Sequence, residues 1–516
     1  MVDINAPILT TFILYLVLMV LIGLWVYRRT RTFSDFALGG RSLSAPVAAL
    51  SAQSSDMSGW LMLGLAGSVY AGGLGATWIA IGLLAGSYLS WLVVAPRLRT
   101  YTARASDAVS LSSYFEERFE DRGKVLPNVS LLRIVSAAVI VFFFTVYVAS
   151  GLVAGGKLFD EVFGVPPATA MAVAVAVIVA YSFLGGFLAV SFTDVVQGTM
   201  MLLALLVLPF LAIVAIGGFG AFGDRVDARG EGLFNLGKAV TYESPTWTAE
   251  GAVGVVAVIS LLAWGIGYFG QPHILARYMG IRSVRDVPVA RRIATGWTAL
   301  VLAGSCLVAL AGVAYLEPLE DPEKVFIVMA QELTHPWVAG LLLAALLAAI
   351  MSTADSQLLV ASTAITEDFY RALFNRQAGQ TLLVWTGRGA VIAVGLAAYA
   401  LALSWEDSVM GIVEYAWAGF GASFGPVIVL SLYWSRMTWA GALAGIVGGA
   451  LTAGLWRYYA EDLGPLKELY EIIPGSIVAL AAALIFGKFV GTPPQREWAG
   501  ALDDEPEAPQ PEPATA

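Results

Sequence analysis

The stretch Ala52-Gln53-Ser54-Ser55-Asp56-Met57-Ser58-Gly59-Trp60 decides how this chain reads. It sets an acid, three serines and a glycine inside an apolar run of membrane-spanning length, from about Leu43 to Gly72. A carboxylate at that depth costs at least ~2.5–3.5 kcal/mol to insert unless it faces protein or water. Serine and glycine suit a helix that unwinds and turns its backbone towards a ligand. The stretch therefore points to a site for a polar solute or a cation. The plainer alternative is a polar contact gluing two helices together.

Composition supports a membrane setting. The chain is 58% hydrophobic and only 13% charged, with a mean hydropathy of +0.76. Those values predict an all-α polytopic membrane protein, because each helical crossing takes about 20 apolar residues. About thirteen such segments occur, centred near Leu16, Met62, Leu83, Phe143, Val175, Leu205, Val258, Leu302, Leu346, Val394, Phe420, Gly445 and Ala481. A transmembrane β-barrel would show shorter, alternating strands instead.

The first segment has no basic residue before it and Arg28, Arg29 and Arg31 after it, the reverse of a secretory signal. It is expected to stay as a helix with its N-terminus outside. On that basis 22 of the 29 Lys and Arg residues fall on the inside and 7 on the outside. The bias follows the positive-inside rule for an odd number of spans, with the C-terminus inside. Arg277 is counted among the inner-loop cations.

The net charge of -9 owes much to Asp503, Asp504, Glu505, Glu507 and Glu512 in the Pro-rich end over 495–516. That segment reads as a disordered, solubilising cytoplasmic tail. No basic surface suits nucleic acid, and no phosphate loop or zinc-spaced Cys/His set occurs. His273 and His335 are far apart and flank helix ends, while Cys306 alone can form no internal disulfide. Residues 114–122 suggest a short interfacial helix.

A second interrupted segment, Ala263-Trp-Gly-Ile-Gly-Tyr-Phe-Gly-Gln-Pro272, lies five segments after the first. Glycine and proline loosen the helical hydrogen-bond ladder. Paired interruptions of this kind point to inverted repeats, here over 42–217 and 250–435. Residues 1–41 then hold the first span and an inner loop, 218–249 an outer loop, and 436–494 the last two spans. Because each repeat has an odd number of segments, the second enters from the opposite face. This is the plan of an alternating-access transporter.

Ala348-Ala-Ile-Met-Ser-Thr-Ala-Asp-Ser356 places the hydroxyls of Ser352 and Thr353 in an apolar helix. With carbonyls freed near Ser54 and Met57 they can form an all-oxygen cage, as hard cations such as sodium require. Bonding of each hydroxyl back to its own helix is the alternative. Tyr147, Trp264 and Tyr268 offer aromatic walls with polar tips for a small amphipathic solute, or simple packing. Arg41, after Leu38-Gly-Gly40, suits attraction or gating of a cation, or plain inside anchoring. Asp194, read at the start of the sixth segment, either complements the helix dipole or serves function.

Leu38-Gly-Gly-Arg-Ser42, Ser54-Ser-Asp-Met-Ser-Gly-Trp60, Gly185-Gly-Phe-Leu-Ala-Val190, Gly267-Tyr-Phe-Gly-Gln-Pro-His-Ile-Leu-Ala-Arg277, Met351-Ser-Thr353 and Tyr415-Ala-Trp-Ala-Gly-Phe-Gly421 together resemble the sodium/solute symporter family, above all its bacterial proline-carrying branch. The resemblance covers nearly the whole chain except the acidic tail. It implies a LeuT-like fold of two inverted five-helix repeats, with interrupted helices 2 and 7. It implies sodium on the carbonyls of Ser54, Met57 and Ala349 and the hydroxyls of Ser352 and Thr353.

By the same resemblance Asp56 is the acid needed for sodium coupling, and Arg41 and Asp194 serve coupling or inner release. The expected substrate set is Ser55, Ser58, Gly59, Trp60, Tyr147, Trp264, Tyr268 and Pro272. One departure is Gln53-Ser54, where enteric members carry Gly-Ala; a carbonyl ligand survives that change. The implied activity is sodium-coupled import of L-proline across a bacterial cytoplasmic (inner) membrane. No covalent catalysis, nucleic acid or obligatory protein partner is implied beyond proline, sodium and the lipid bilayer. Carriage of another small zwitterion or organic acid is the alternative within this class. A membrane solute sensor is the alternative outside it, disfavoured by the short tail after the last segment.

Overall fold

In hydrocarbon every backbone N–H and C=O must be satisfied within its own segment, so apolar runs become helices. The computed structural model describes residues 5–27, 32–104, 107–119, 124–126, 129–184, 186–405, 407–491 and 493–494. The acidic tail, Arg28, Arg29, Arg31 and Gly185 lie outside the described residues.

Helix α1 (Ala6–Tyr27) precedes α2 (Phe33–Leu38), which is capped reciprocally by Thr32 and Asp35 and ends at Gly39 with a φ of 61°. The decisive stretch forms α3 (Ala45–Asp56), which stops at Met57, where ψ is 72°. Beyond a π-type turn at Leu61–Leu65 the run resumes as α4 (Ala66–Gly72). Then come α5 (Trp78–Val93), α6 (Ala95–Arg104) and α7 (Leu111–Arg118). The antiparallel pair β1 (Lys124–Leu126) and β2 (Val129–Ser130) leads to the long α8 (Leu131–Phe163), α9 (Pro167–Leu184) and α10 (Phe187–Ile216).

The 218–249 loop holds more order than its sequence suggests: α11 (Phe219–Arg229) is followed by a hairpin of β3 (Lys238–Glu243) and β4 (Thr246–Ala252). Trp247 anchors that hairpin, donating from Nε1 to the Tyr70 carbonyl at 2.7 Å. The second broken rod pairs α12 (Val255–Ala263) with α13 (Pro272–Gly280); a 3₁₀ turn, Trp264–Phe269, intervenes and the bend is 43°. The chain continues through α14 (Val287–Tyr315), α15 (Val325–Leu333) and α16 (Pro336–Thr363), the last prolonged by a π-type stretch to Phe374. It closes with α17 (Gln380–Ser404), α18 (Val409–Tyr433), α19 (Trp439–Tyr459) and α20 (Ile472–Phe489).

Among the described residues ten helices are long and apolar enough to cross a membrane, or eleven if the bent pair is one span. That tally takes residues 61–93 as one element and omits the shorter apolar helix Pro167–Ala180. It therefore falls below the thirteen segments expected from sequence.

Helix α16 lies at the centre: 83% of its most apolar window is buried, against 28% for α1 and α20. Lipid tails are as apolar as leucine, so helices associate through small residues that let backbones approach. Gly82 and Gly86 on α5 do this for the second break, since a Cβ at either would collide with the backbone of Leu262 or Gly265. Of residues 114–122, expected to form a short interfacial helix, those up to Arg118 end α7, and 120–122 lie outside the described residues. Tyr114 and Phe115 are fully buried, and Arg118 donates from Nε to the Ser431 carbonyl at 3.0 Å.

Candidate functional site where two broken helices meet

Local bonds hold the first break open. Met57 N–H still reaches the Gln53 carbonyl at 3.0 Å, but Ser58 N–H turns to Asp56 O at 3.0 Å and Leu61 N–H to Ser58 O at 3.1 Å. Trp60 fastens the turn by donating from Nε1 to Asp56 O at 3.1 Å. Asp56 is fully buried. Its Oδ2 accepts from the Tyr268 hydroxyl, while its Oδ1 has no partner among the described residues. The two breaks therefore touch through one carboxylate.

Behind the first break stands α16. The Ser352 hydroxyl lies 2.8 Å from the Ser54 carbonyl and 3.1 Å from that of Ala349, so its single proton serves both. The neighbouring Thr353 Oγ1 is buried with no partner among the described residues. Ser352 thus brings the carbonyls of Ser54 and Ala349 together, with Met57 at the end of α3 and Thr353 next along α16. Every group there presents oxygen. Both sequence-level alternatives coexist in Ser352, which bonds across to α3 and back within its own helix.

The aromatic residues form a continuous wall. Trp264 lies 6.2 Å from Trp60 and stacks on Trp417 at 6.4 Å and on Tyr470 at 5.2 Å between ring centroids. Trp417 Nε1 donates to the Trp264 carbonyl at 2.8 Å, filling an acceptor left over by the broken helix. Tyr147 on α8 is buried, and its hydroxyl lies beside Ser58 and Trp60 without a bond at normal distance. Pro272 opens α13. Gly59 is pressed against α8 and α16, because a Cβ there would stand 2.8 Å from Ala154 Cβ and 3.0 Å from Ile350. Ser55 turns away from the wall, donating back to the Ala52 carbonyl at 3.1 Å.

Asp194 is not at a helix start. Helix α10 begins at Phe187, which places Asp194 about two turns inside it and removes the dipole explanation. The carboxylate pairs with Arg277 at 3.1 Å and accepts from Ser51 Oγ at 2.6 Å. Arg277 is fully buried, not a loop cation; it also donates to Ser51 Oγ at 3.0 Å, Ser356 Oγ at 2.5 Å and the His273 carbonyl at 3.1 Å. Asp355 on α16 is buried nearby, and neither of its oxygens has a hydrogen-bond partner among the described residues. Ser54 joins the two clusters by donating from Oγ to the Asp194 carbonyl at 3.1 Å.

Arg41 stands apart from these groups. It donates to the carbonyls of Thr102, Ala108 and Met279 and pairs with Asp107 at 2.7 Å, tying α6 to the end of α13. Sequence reasoning missed Arg277, Ser51 and Ser356. The available signal was a guanidinium between Ala276 and Tyr278 on a short apolar helix, four residues after His273.

A model of the sodium:solute symporter family matches residues 36–449. The chain belongs to the sodium:solute symporter family. The symporter is 46% identical over 492 residues to the sodium/proline symporter of Escherichia coli (strain K12), covering 94% of this chain and 93% of that protein. It is 45% identical over 481 residues to the high-affinity proline transporter PutP of Bacillus subtilis (strain 168), covering 92% and 97%. Among solved structures, a Na+-coupled sialic acid symporter in a substrate-bound outward-open state superposes with a TM-score of 0.76 at 17% identity, covering 95% and 99%. The nucleobase-cation-symport-1 transporter Mhp1 follows at 0.53 and 12%, covering 87% and 94%. These likenesses establish the LeuT-like architecture of the symporter.

Proposed function

We propose that this symporter imports L-proline by coupling it to sodium, through alternating access. The observation that carries the reading is the meeting of the two breaks at Asp56. An all-oxygen cluster around Ser352 lies on one side, and a wall of Trp60, Trp264, Tyr147 and Tyr268 on the other. A cage with no carboxylate directly in it suits a monovalent ion better than calcium, which recruits acidic ligands. The buried, unpartnered Thr353 hydroxyl has the chemistry of a ligand awaiting a cation. Sodium would rest on the carbonyls of Ser54, Met57 and Ala349 and the hydroxyls of Ser352 and Thr353. The Asp56 charge would stabilise it from close by.

Proline fits the other side. Its ring suits aromatic walls, and its carboxylate suits donors around a broken helix. A sugar needs many side-chain partners, and the wall offers few. Relatives of 45–46% identity along nearly the whole chain that bear proline-transport names support the assignment.

Helix α8 bears polar latches at both ends. Near its start Arg133 pairs with Glu116 at 2.7 Å and Asp368 at 2.8 Å. Near its end Lys157 pairs with Asp321 and Glu323, both at 2.7 Å. Glu323 also accepts from the backbone N–H groups of Val409 and Met410 at 3.2 and 3.0 Å, capping α18. A cavity of about 20 Å³, lined by Pro272, Met279 and Asp368 among others, adjoins the Arg133 latch at Asp368. Alternate parting of the two latches gives alternate access to the site. In this reading the chain makes thirteen spans, with inverted repeats over 42–217 and 250–435, the N-terminus outside and the C-terminus inside.

The test is uptake of radiolabelled proline into liposomes holding the purified protein, under imposed sodium, proton or potassium gradients. Uptake should follow the sodium gradient and be abolished by unlabelled proline but not by glucose, alanine or pantothenate. Equal competition by glucose overturns the assignment.

A further inference from the structure

Helix α13 starts directly after the second break, so its first residues face the site and not a preceding turn. His273 is the second of them. Its side chain is fully buried, and neither ring nitrogen has a hydrogen-bond partner among the described residues. An imidazole always carries at least one N–H, so a donor is left aimed at nothing. The ring stands edge-on to Tyr147 at 6.2 Å and to Phe144 at 5.6 Å between centroids. The Tyr147 hydroxyl and Gln271 Oε1 are also buried without partners. The Gln271 amide is pinned, Nε2 donating to the Trp417 carbonyl at 3.2 Å. Three side chains thus leave donors and acceptors open: Gln271 and His273 at the start of α13, and Tyr147 against the His273 ring. Unmet polar groups are rare in protein interiors and call for a partner.

Position decides which part of a substrate that partner is. The His273 carbonyl accepts from the Arg277 guanidinium, which braces the first turn of α13 while its charge is met by Asp194. The leading N–H groups of that turn present the positive end of the helix dipole, which favours an anionic group. Gln271 Oε1 and Asp56 Oδ1 are acceptors without partners among the described residues, and acceptors of this kind favour a cationic group.

Resting on the proline reading above, we propose that His273 contacts substrate directly. Its ring N–H donates to the substrate carboxylate, and Gln271 Oε1 accepts from the secondary ammonium. His273 then sets the requirement for a free α-carboxylate, and the aromatic wall sets the requirement for the ring.

The test uses the full chain in liposomes, with proline and the uncharged-end analogue prolinamide as competitors for labelled proline. His273→Phe keeps the ring stacking against Tyr147 and Phe144 but removes the N–H. His273→Asn restores a donor. Hydrogen bonds to a charged group change binding by roughly 10- to 100-fold. His273→Phe should therefore raise the inhibition constant of proline by about that factor and leave that of prolinamide unchanged. His273→Asn should recover part of the loss, with the half-saturating sodium concentration near wild type. Sodium-dependent thermal stabilisation of each variant reports that it is folded. Equal shifts for proline and prolinamide, or no shift in a folded His273→Phe, overturn the inference while wild-type proline uptake stands. Wild-type liposomes that fail to take up proline overturn the function above as well.

Discussion

Helix α3 stops at Met57 with serine hydroxyls, a carboxylate and an Ala-rich helix at hand, whereas α12 and α13 are parted by a stretch with three glycines and three aromatic residues, and a proline opens α13. Both breaks free backbone groups in the middle of a helical bundle. The side chains around them differ in kind. In the reading proposed above, the first holds the small hard cation and the second the organic solute with a ring. Coupling needs the two to communicate, and they do so through the Asp56 carboxylate and the Tyr268 hydroxyl. Substitutions should therefore sort by the break they touch.

The largest effect belongs to Asp56→Asn. The amide keeps the size of the side chain and can still accept from Tyr268, so the geometry of both breaks is retained. Only the charge goes. Removing one partner of a buried charge pair costs ~3–5 kcal/mol, so transport at moderate sodium should fall by about 100-fold or more. Asp56→Glu should be milder. Sodium titration of uptake, with surface labelling to count protein in the membrane, makes the measurement. A wild-type sodium dependence in the Asn variant would remove the ion from the first break.

Much of this division is legible in the sequence, because depth and residue type alone make Asp56 and the 263–272 stretch conspicuous. Asp194 and Arg277 are less so. The glycine pair at 185–186 suggests a helix start, but it does not reveal that α10 runs far enough for Asp194 to face α3. The positive-inside rule counts cations without seeing their depth, so Arg277 passes for a loop residue although its guanidinium is wholly buried beside Asp194. Pairing across more than eighty residues of sequence leaves no periodic trace. The hairpin at 238–252 is hidden for another reason: two strands of six and seven residues are too short and too exposed to show clear alternation.

Trp264→Ala should come next and should act on the second break alone. Losing a packed aromatic anchor costs on the order of 2 kcal/mol, which is about a 30-fold rise in the KM for proline. The half-saturating sodium concentration measured at saturating proline should stay near wild type. An equal shift in both quantities would mean that the stack of Trp60, Trp264 and Trp417 holds the first break in shape and does not merely line the second.

Thr353→Ala sharpens the other side. Its hydroxyl is unpartnered, so nothing in the resting structure loses a bond, and the loss should appear only when sodium binds. An unmet ligand is worth ~1–3 kcal/mol, so half-saturating sodium should rise about tenfold. Proline affinity should weaken when sodium is limiting and recover as sodium is raised, because the coupling is reciprocal. Ser352→Ala should act in the same direction while also releasing the Ser54 and Ala349 carbonyls. If both variants titrate like the parent, the cation does not bind at this cluster.

Tyr268→Phe should give a shift comparable to that of Thr353→Ala and the most telling pattern. The ring stays, so its edge-on contact with Trp417 at 5.3 Å and its share of the aromatic wall are preserved. Only the hydroxyl to Asp56 is lost, a bond to a charged group worth about 1.5 kcal/mol at the low end, or roughly tenfold. That hydroxyl belongs to neither break by itself. Its removal should raise half-saturating sodium and the proline KM together, and raising sodium should recover proline affinity only in part. Complete recovery at high sodium would assign the hydroxyl to the ion side, with Asp56 as its one concern. A shift in proline KM with sodium dependence untouched would assign it to the substrate side. A parallel shift in both is the result expected of a contact that carries the coupling.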